Sequence, residues 1–380
     1  MKTTTTLTLV SPSPLTQRSL LVHRYGMVGA RPKAYLHAGL HADELPGLLV
    51  LHHLQQLLDN AAENGEIIGE IVLVPVANPI GLGQYLNGHL VGRFDFEIGK
   101  NFNRDYPDLT EAVLAIVEPQ LTNSATQNVQ CIRSALQQQL QIQSNDTEPE
   151  ALKKALLRLS IDADEVLDLH CDGEALVHLY VSKHHVEQGM TLGAQLGAKT
   201  ILVEDNVGGD SFDEANAGIW WKLRDRLPDT FPIPLACFST TIELRGRADV
   251  DDTLARSDAL NLFRYLQRRG IIAGKPEPLP ALLCKPTPLE GADVLKAPLA
   301  GILAYHKALG EYVHAGEVVA DVVNITASSP EQSRIPVISQ TDGVIFARRL
   351  EKLVRPGESF CKIAGTHKLA HRKYGKLLGN

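Results

Sequence analysis

Residues 35–47 read YLHAGLHADELPG, and the rest of the chain is organised around them. A short apolar run enters this stretch and an apolar helical pattern leaves it. Strand-to-helix turns are where α/β sheets place their chemistry, because strand ends are rigid and the loops open onto a crevice. Inside the turn, His41 and Glu44 stand three residues apart. That spacing lets an imidazole and a carboxylate converge on one metal ion. It recurs at His184/Glu187 and His314/Glu317, so spacing alone selects nothing. Context singles out the first pair: a Gly before it, a Pro-Gly after it and a strand feeding in. His37, ahead of the Gly turn, reads as structural.

Working outward, a helix starts near Pro46, where a missing N–H costs nothing. Its Leu48, Leu51, Leu54, Leu57 and Leu58 lie on one face. Residues 5–10, 18–25 and 33–37 read as strands. Glu70–Ala77 (EIVLVPVA) is apolar in the manner of a strand buried on both faces, which implies a sheet covered by helices. Ile80–Asp108 is a long irregular loop containing GRFDFEIGKNFNRDYPD. Its aromatic and Arg content argues for function rather than disorder. Residues 110–159 read as a polar helical insertion on the surface, without chemistry.

Glu165–His170 (EVLDLH) is a further buried strand, in which Asp168 and His170 face the same way. Strands over 176–182 and 199–204 flank a helix over 186–197. Asn206–Asp225 opens as a Gly-rich loop, a candidate lid, and Thr240–Leu244 (TTIEL) is a strand carrying Glu243. Asp252–Arg269 reads as the last helix of the main domain, stopped by Gly270. The Pro-rich stretch after Gly274 is a linker. Beyond it, segments starting at Gly301 and Gly343 repeat the order Gly, two apolar residues, a gap, Val, then Gly-Glu. Two copies of one hairpin unit suggest a small pseudo-symmetric β-barrel. The domain expectation is 1–280 for the main domain with its 110–159 insertion, 281–366 for the barrel and 367–380 for a basic tail.

The 380 residues are 44% hydrophobic and 21% charged, enough for a packed core. A net charge of −7 argues against nucleic acid as an obligate partner. Five scattered cysteines, with no metal-binding pair among them, read as reduced thiols of a cytoplasmic protein. The opening residues lack the apolar run of a signal peptide, and no stretch approaches the ~20 apolar residues of a membrane span.

If His41, Glu44 and His170 meet, they form two imidazoles and a carboxylate with a fourth position open, the ligand set of a hydrolytic zinc site. A water on such an ion has its pKa brought near 7. Glu243, at a strand end, is the candidate base. Arg93 is the candidate for stabilising a developing oxyanion, and Arg104 with Asn103 could hold a substrate carboxylate.

The ordered motifs HAGLHADELPG, NFNRDYP, DLH and TIELRG resemble the succinylglutamate desuccinylase/aspartoacylase family, a branch of the zinc carboxypeptidase-like hydrolases, over roughly residues 30–270. The resemblance implies an α/β fold: a three-layer αβα zinc-exopeptidase-like domain with a mixed, mostly parallel sheet, plus a small C-terminal β-barrel domain. It implies one zinc ion on His41, Glu44 and His170. It makes Glu243 the catalytic carboxylate and Arg93 the group that polarises the scissile carbonyl. Asn103 and Arg104 take the substrate carboxylate; from the residues themselves, Arg245 and Arg247 are candidates for an acyl carboxylate. The family commonly carries an acidic residue where this chain has Asn101, whose amide oxygen can still accept a hydrogen bond. The implied activity is removal of an N-acyl group from an amino acid or small amine. The substrate is a small molecule, with no nucleic acid or membrane partner, and a homo-oligomer is left open. The alternatives are a metallocarboxypeptidase acting on short peptides and a non-catalytic binding scaffold. A lipoyl-type carrier is disfavoured, because no Lys lies between the two repeats.

Overall fold

The structure is a computed structural model that describes residues 1–143, 146–204, 210–370 and 372. The Gly-rich start of the expected lid and most of the basic tail lie outside the described residues. The chain divides into two compact units. The first comprises residues 1–170, 209–241 and 250–279, and the second 171–208, 242–249 and 280–380. The Pro-rich linker marks the last crossing, between Leu279 and Pro280.

The strands of the first unit are β1 (Lys2–Thr8), β2 (Ser19–Tyr25), β3 (Lys33–Ala38), β4 (Glu70–Val74) and β7 (Glu165–Asp172), with the start of β11 (Phe238–Gly246). The short β5 (Tyr85–Leu86) and β6 (His89–Leu90) form a separate hairpin. Strand order is β1-β2-β4-β3-β7-β11. The β1/β2 and β2/β4 pairs are antiparallel, whereas β3 runs parallel to both β4 and β7. The sheet is therefore mixed. The parallel part holds the apolar runs EIVLV and EVLDLH, buried along their length as their composition requires.

Helices cover both faces. Tyr35, Val72 and Val166 sit side by side in the register and share one apolar cluster. That cluster draws on α3 (Thr110–Val117), α4 (Ala125–Ile142), α5 (Glu148–Ser160) and α7 (Phe212–Arg224). The next row, Leu36, Leu73 and Leu167, points the opposite way, toward the side where α1 (Pro46–Glu63) packs with α8 (Asp252–Arg268). The polar segment 110–159 is thus more than a surface feature: its Ile132, Leu136, Leu152 and Leu156 are fully buried. The short α2 (Pro79–Leu82) follows β4, capped by Asn78, whose side-chain oxygen accepts from the Gly81 N–H.

In the second unit, β9 (His178–Ser182), β10 (Thr200–Glu204) and β12 (Pro286–Pro288) run parallel, with α6 (Val186–Leu196) between the first two. The expected strand over 176–182 begins only at His178, because the preceding β8 (Glu174–Ala175) pairs elsewhere. Two further sheets make the repeat region. One orders β13 (Ala292–Lys296), β20 (Ser359–Gly365), β18 (Gly343–Arg348) and β15 (Tyr312–Val313), with β8 added on β18. The other orders β17 (Arg334–Ile338), β16 (Val318–Val323), β14 (Gly301–Tyr305) and β19 (Leu353–Val354).

The two repeat copies exchange strands. β14 of the first pairs β19 of the second, and β18 of the second pairs β15 of the first. The matching glycines have one cause. A Cβ on Gly301 would lie 2.5 Å from the Val323 carbonyl oxygen, and one on Gly343 would lie 2.2 Å from that of Ala364. Val313, Val322, Ile345, Val354 and Phe360 fill the core between the sheets. Among the described residues, no helix is long and apolar enough to cross a membrane.

Candidate functional site

The turn from β3 into α1 is held from two sides. Asn78, at the end of β4, donates through Nδ2 to the Leu40 carbonyl at 2.9 Å. Gly92 presses against the turn so closely that a Cβ there would lie 2.6 Å from the Asp43 nitrogen. The Ala42 N–H donates to the Gly92 carbonyl at 3.1 Å. The long loop then folds back on itself: Phe94 bridges Asn101, and the Phe102 N–H donates to the Arg93 carbonyl. This closure brings Arg93, Asn101 and Asn103 to the turn.

Three buried groups converge there. The candidate ligand atoms of His41, Glu44 and His170 all lie within 4.8 Å of one another. Glu44 Oε1 is 3.1 Å from His41 Nδ1, and Glu44 Oε2 is 2.8 Å from His170 Nδ1. The outer nitrogens of both rings are engaged. His41 Nε2 lies 2.8 Å from Asn101 Oδ1, which also accepts the Asn103 backbone N–H at 2.9 Å. A backbone amide can only donate, so that atom is an acceptor and His41 Nε2 carries the proton. His170 Nε2 is 2.9 Å from Asp168 Oδ2, closer than the 3.4 Å to Asn103 Nδ2. Each ring turns its Nδ1 toward the Glu44 carboxylate. The Glu44 carboxylate and the two Nδ1 atoms face one another in a buried pocket, an arrangement that favours positive charge among them. Their nitrogen-and-oxygen donor set fits a divalent metal ion, with each ring held by a second partner as metal-binding imidazoles commonly are.

The electrostatics agree. Burial alone would raise Glu44, but His41 and His170 hold its carboxyl well below the usual range. Burial would lower His170, yet Asp168 and then Glu44 keep it well above its ordinary value. His41 is pulled down by burial and by Arg93, against Glu44. Arg93 Nη1 stands 3.1 Å from Glu44 Oε1 and 3.2 Å from His41 Nδ1. The site thus favours one positive charge between the two rings, carried by a proton or by a metal ion.

Behind His170 runs a buried chain that the sequence reading missed. The Tyr35 hydroxyl lies 2.9 Å from His37 Nδ1, and His37 Nε2 lies 2.7 Å from Asp168 Oδ1. The His37 ring stacks on Phe212 with centroids 4.5 Å apart. The parallel register that sets His37 beside Asp168 is what joins them. Two signals were available: the alternation of Tyr35 and His37 on one strand, and of Asp168 and His170 on another.

Asn103 is fixed by the Phe212 N–H, which donates to its Oδ1 at 2.8 Å. Arg104 Nη1 donates to the Asn103 carbonyl at 2.6 Å. Glu243 and Arg245 belong to the second unit, on β11, and Arg245 adopts a left-handed φ of 64°. In that unit the charges of Lys362, Glu243 and Asp172 all act on the half-buried Tyr180, whose hydroxyl desolvation pushes far up. Lys362 forms a 2.5 Å ion pair with Asp172.

No curated protein matches the chain. Among solved structures, a protein from Shewanella amazonensis, provisionally assigned to the succinylglutamate desuccinylase/aspartoacylase family, is 25% identical with a TM-score of 0.82, covering 96% of this chain and 98% of its own. A similarly assigned protein from Shewanella frigidimarina is 24% identical with a TM-score of 0.84, covering 96% and 97%. The product-bound ectoine utilization protein EutE (DoeB) from Ruegeria pomeroyi is 16% identical with a TM-score of 0.68, covering 96% and 95%. These likenesses agree on an α/β fold. The sequence profile of the succinylglutamate desuccinylase/aspartoacylase catalytic domain matches residues 30–219, a span that contains the whole His41–Glu44–His170 cluster, and the chain belongs to that family.

Proposed function

We propose that the protein is a zinc-dependent amidohydrolase that removes an N-acyl group from an amino acid or a related small amine. The observation that carries this reading is the convergence of His41, Glu44 and His170 with both outer ring nitrogens engaged. Zinc is favoured because two of the three donors are imidazole nitrogens. When bound, the ion supplies Lewis acidity and makes an associated water acidic enough to react near neutral pH.

The chain's own residues do the rest. Arg93, beside Glu44, offers a permanent positive charge for the oxygen of the scissile carbonyl as that oxygen becomes negative. Asn103 and Arg104 receive the substrate's carboxylate, and Arg245 receives an acyl carboxylate where one is present. The Glu243 carboxylate takes one proton from the attacking water and passes it to the nitrogen of the leaving amine. The C–O bond to the acyl carbon forms, the C–N bond breaks, and a carboxylic acid and a free amine leave. The reduced cysteines expected from the sequence suit action in the cytoplasm.

The test is release of free amine from N-acetyl and N-succinyl amino acids and from N-acyl diamines by the zinc-loaded protein. Turnover of at least one class is expected. No turnover of any, or cleavage of tripeptides in preference to all of them, would overturn the proposal.

A further inference from the structure

The insertion carries a charged side chain with unusual company. Lys153, in α5, is half-buried. Its Nζ donates to the Arg104 carbonyl at 2.6 Å and lies 5.5 Å from the centroid of the Tyr106 ring. Burial pulls its ammonium below the ordinary value, with Asp105 acting in the opposite direction. Among the described residues, neither Lys153 nor Arg104 forms an ion pair with a carboxylate. An ammonium has three donors, and one backbone carbonyl takes only one of them.

The peptide that Lys153 holds is also special. It leads into Asp105, whose φ of 58° is uncommon for a residue with a side chain. Asn103 and Arg104 immediately precede that turn. Lys153 reaches it from a rigid base. The start of α5 is closed by a capping box between Thr147 and Glu150, and Leu152 and Leu156 anchor the helix in the core.

We propose that Lys153 is a positioning and specificity-determining residue. It pins the Arg104–Asp105 peptide in the turn that presents Asn103 and Arg104, and it adds a second cation there. The site consequently selects anionic amides over their neutral counterparts. This rests on the deacylase reading above.

The test compares Lys153→Met, which keeps an unbranched side chain but removes the ammonium, with Lys153→Arg, which keeps the charge. Each is assayed on an N-acyl amino acid and on the same compound with its carboxylate made a carboxamide. Lys153→Met is expected to raise KM for the acid about tenfold with kcat little changed, and to leave the carboxamide unaffected. Lys153→Arg recovers most of the loss, and thermal unfolding confirms that both variants fold. An unchanged preference for the acid in Lys153→Met overturns the inference. So does an equal loss on both substrates that Arg does not relieve. If the zinc-loaded wild type turns over neither compound, the deacylase reading is what fails. Calorimetric binding of the acid to wild type and Lys153→Met then decides the role of Lys153, with equal affinities overturning it.

Discussion

Two turns of this chain share the pattern His-x-x-Glu and have opposite fates. In the β3–α1 turn, His41 and Glu44 are 3% and 4% exposed, and both point at His170. In the second unit, the side chains of His314 and Glu317 are 66% and 39% exposed. There the Glu317 carboxylate accepts the His314 backbone N–H at 3.2 Å and pairs with Lys307. The repeat shows the purpose of that contact: at the equivalent turn Glu358 accepts the Arg355 backbone N–H at 2.9 Å. The Glu is retained to close a hairpin, while the first position can be His or Arg. Spacing brings two side chains within reach, but burial, a third converging donor and engaged outer nitrogens make a candidate metal centre.

The comparison can be broken by mutation. The largest effect belongs to His170→Ala and Glu44→Ala, each expected to abolish metal binding and cut turnover by about a thousandfold or more. Metal content and amine release measured on the same samples check this. The next effect separates binding from chemistry. Glu243→Gln is expected to keep its metal while losing about 10²- to 10⁴-fold in kcat, the scale of a lost proton-transfer group. Loss of metal in that variant would mean that Glu243 is misassigned.

Another buried histidine sharpens the contrast, because among the described residues no carboxylate hydrogen-bonds its ring. His178 has its Nδ1 2.8 Å from the Leu176 carbonyl, and burial pushes its pKa down to about 4 despite Asp172. The unfolded chain therefore binds this proton more tightly than the folded one. The stability it permits is complete above pH ~6.5 and is lost as pH falls toward 4, by up to about 3 kcal/mol. Urea unfolding at several pH values should show a shallower acid dependence in His178→Gln than in the wild type.

Asn101→Ala removes the partner of the His41 outer nitrogen together with the acceptor of the Asn103 backbone N–H. It should weaken metal affinity by about 10- to 100-fold. Asn101→Asp should hold the metal at least as tightly as the wild type in competitive chelator titrations. Smallest of all, Glu317→Ala should leave turnover unchanged and lower the thermal midpoint only slightly, as for an exposed side chain that closes a turn.

Much of this was legible in the residues. EIVLVPVA and EVLDLH announced buried parallel strands, and the Pro after Glu44 announced the helix. The Gly-Glu repeat announced the paired hairpins, although the exchange of strands between copies depends on pairing that a linear pattern does not carry. The polar outer faces of 110–159 hid how deeply its apolar residues sit. His37 looked structural because its partner, Asp168, is remote in sequence and adjacent only through the β3/β7 register. Lys153 was invisible for the same reason: its partner is a backbone carbonyl in a distant loop. Local chemistry is written in short motifs, whereas the groups that orient it are assembled by the fold.

The most direct test of the central claim is elemental analysis of the purified chain after dialysis against trace zinc. One divalent ion per chain is expected in the wild type and in Glu317→Ala, and none in Glu44→Ala or His170→Ala. A wild-type chain that retains no ion, or a Glu44→Ala chain that retains one, would contradict that claim.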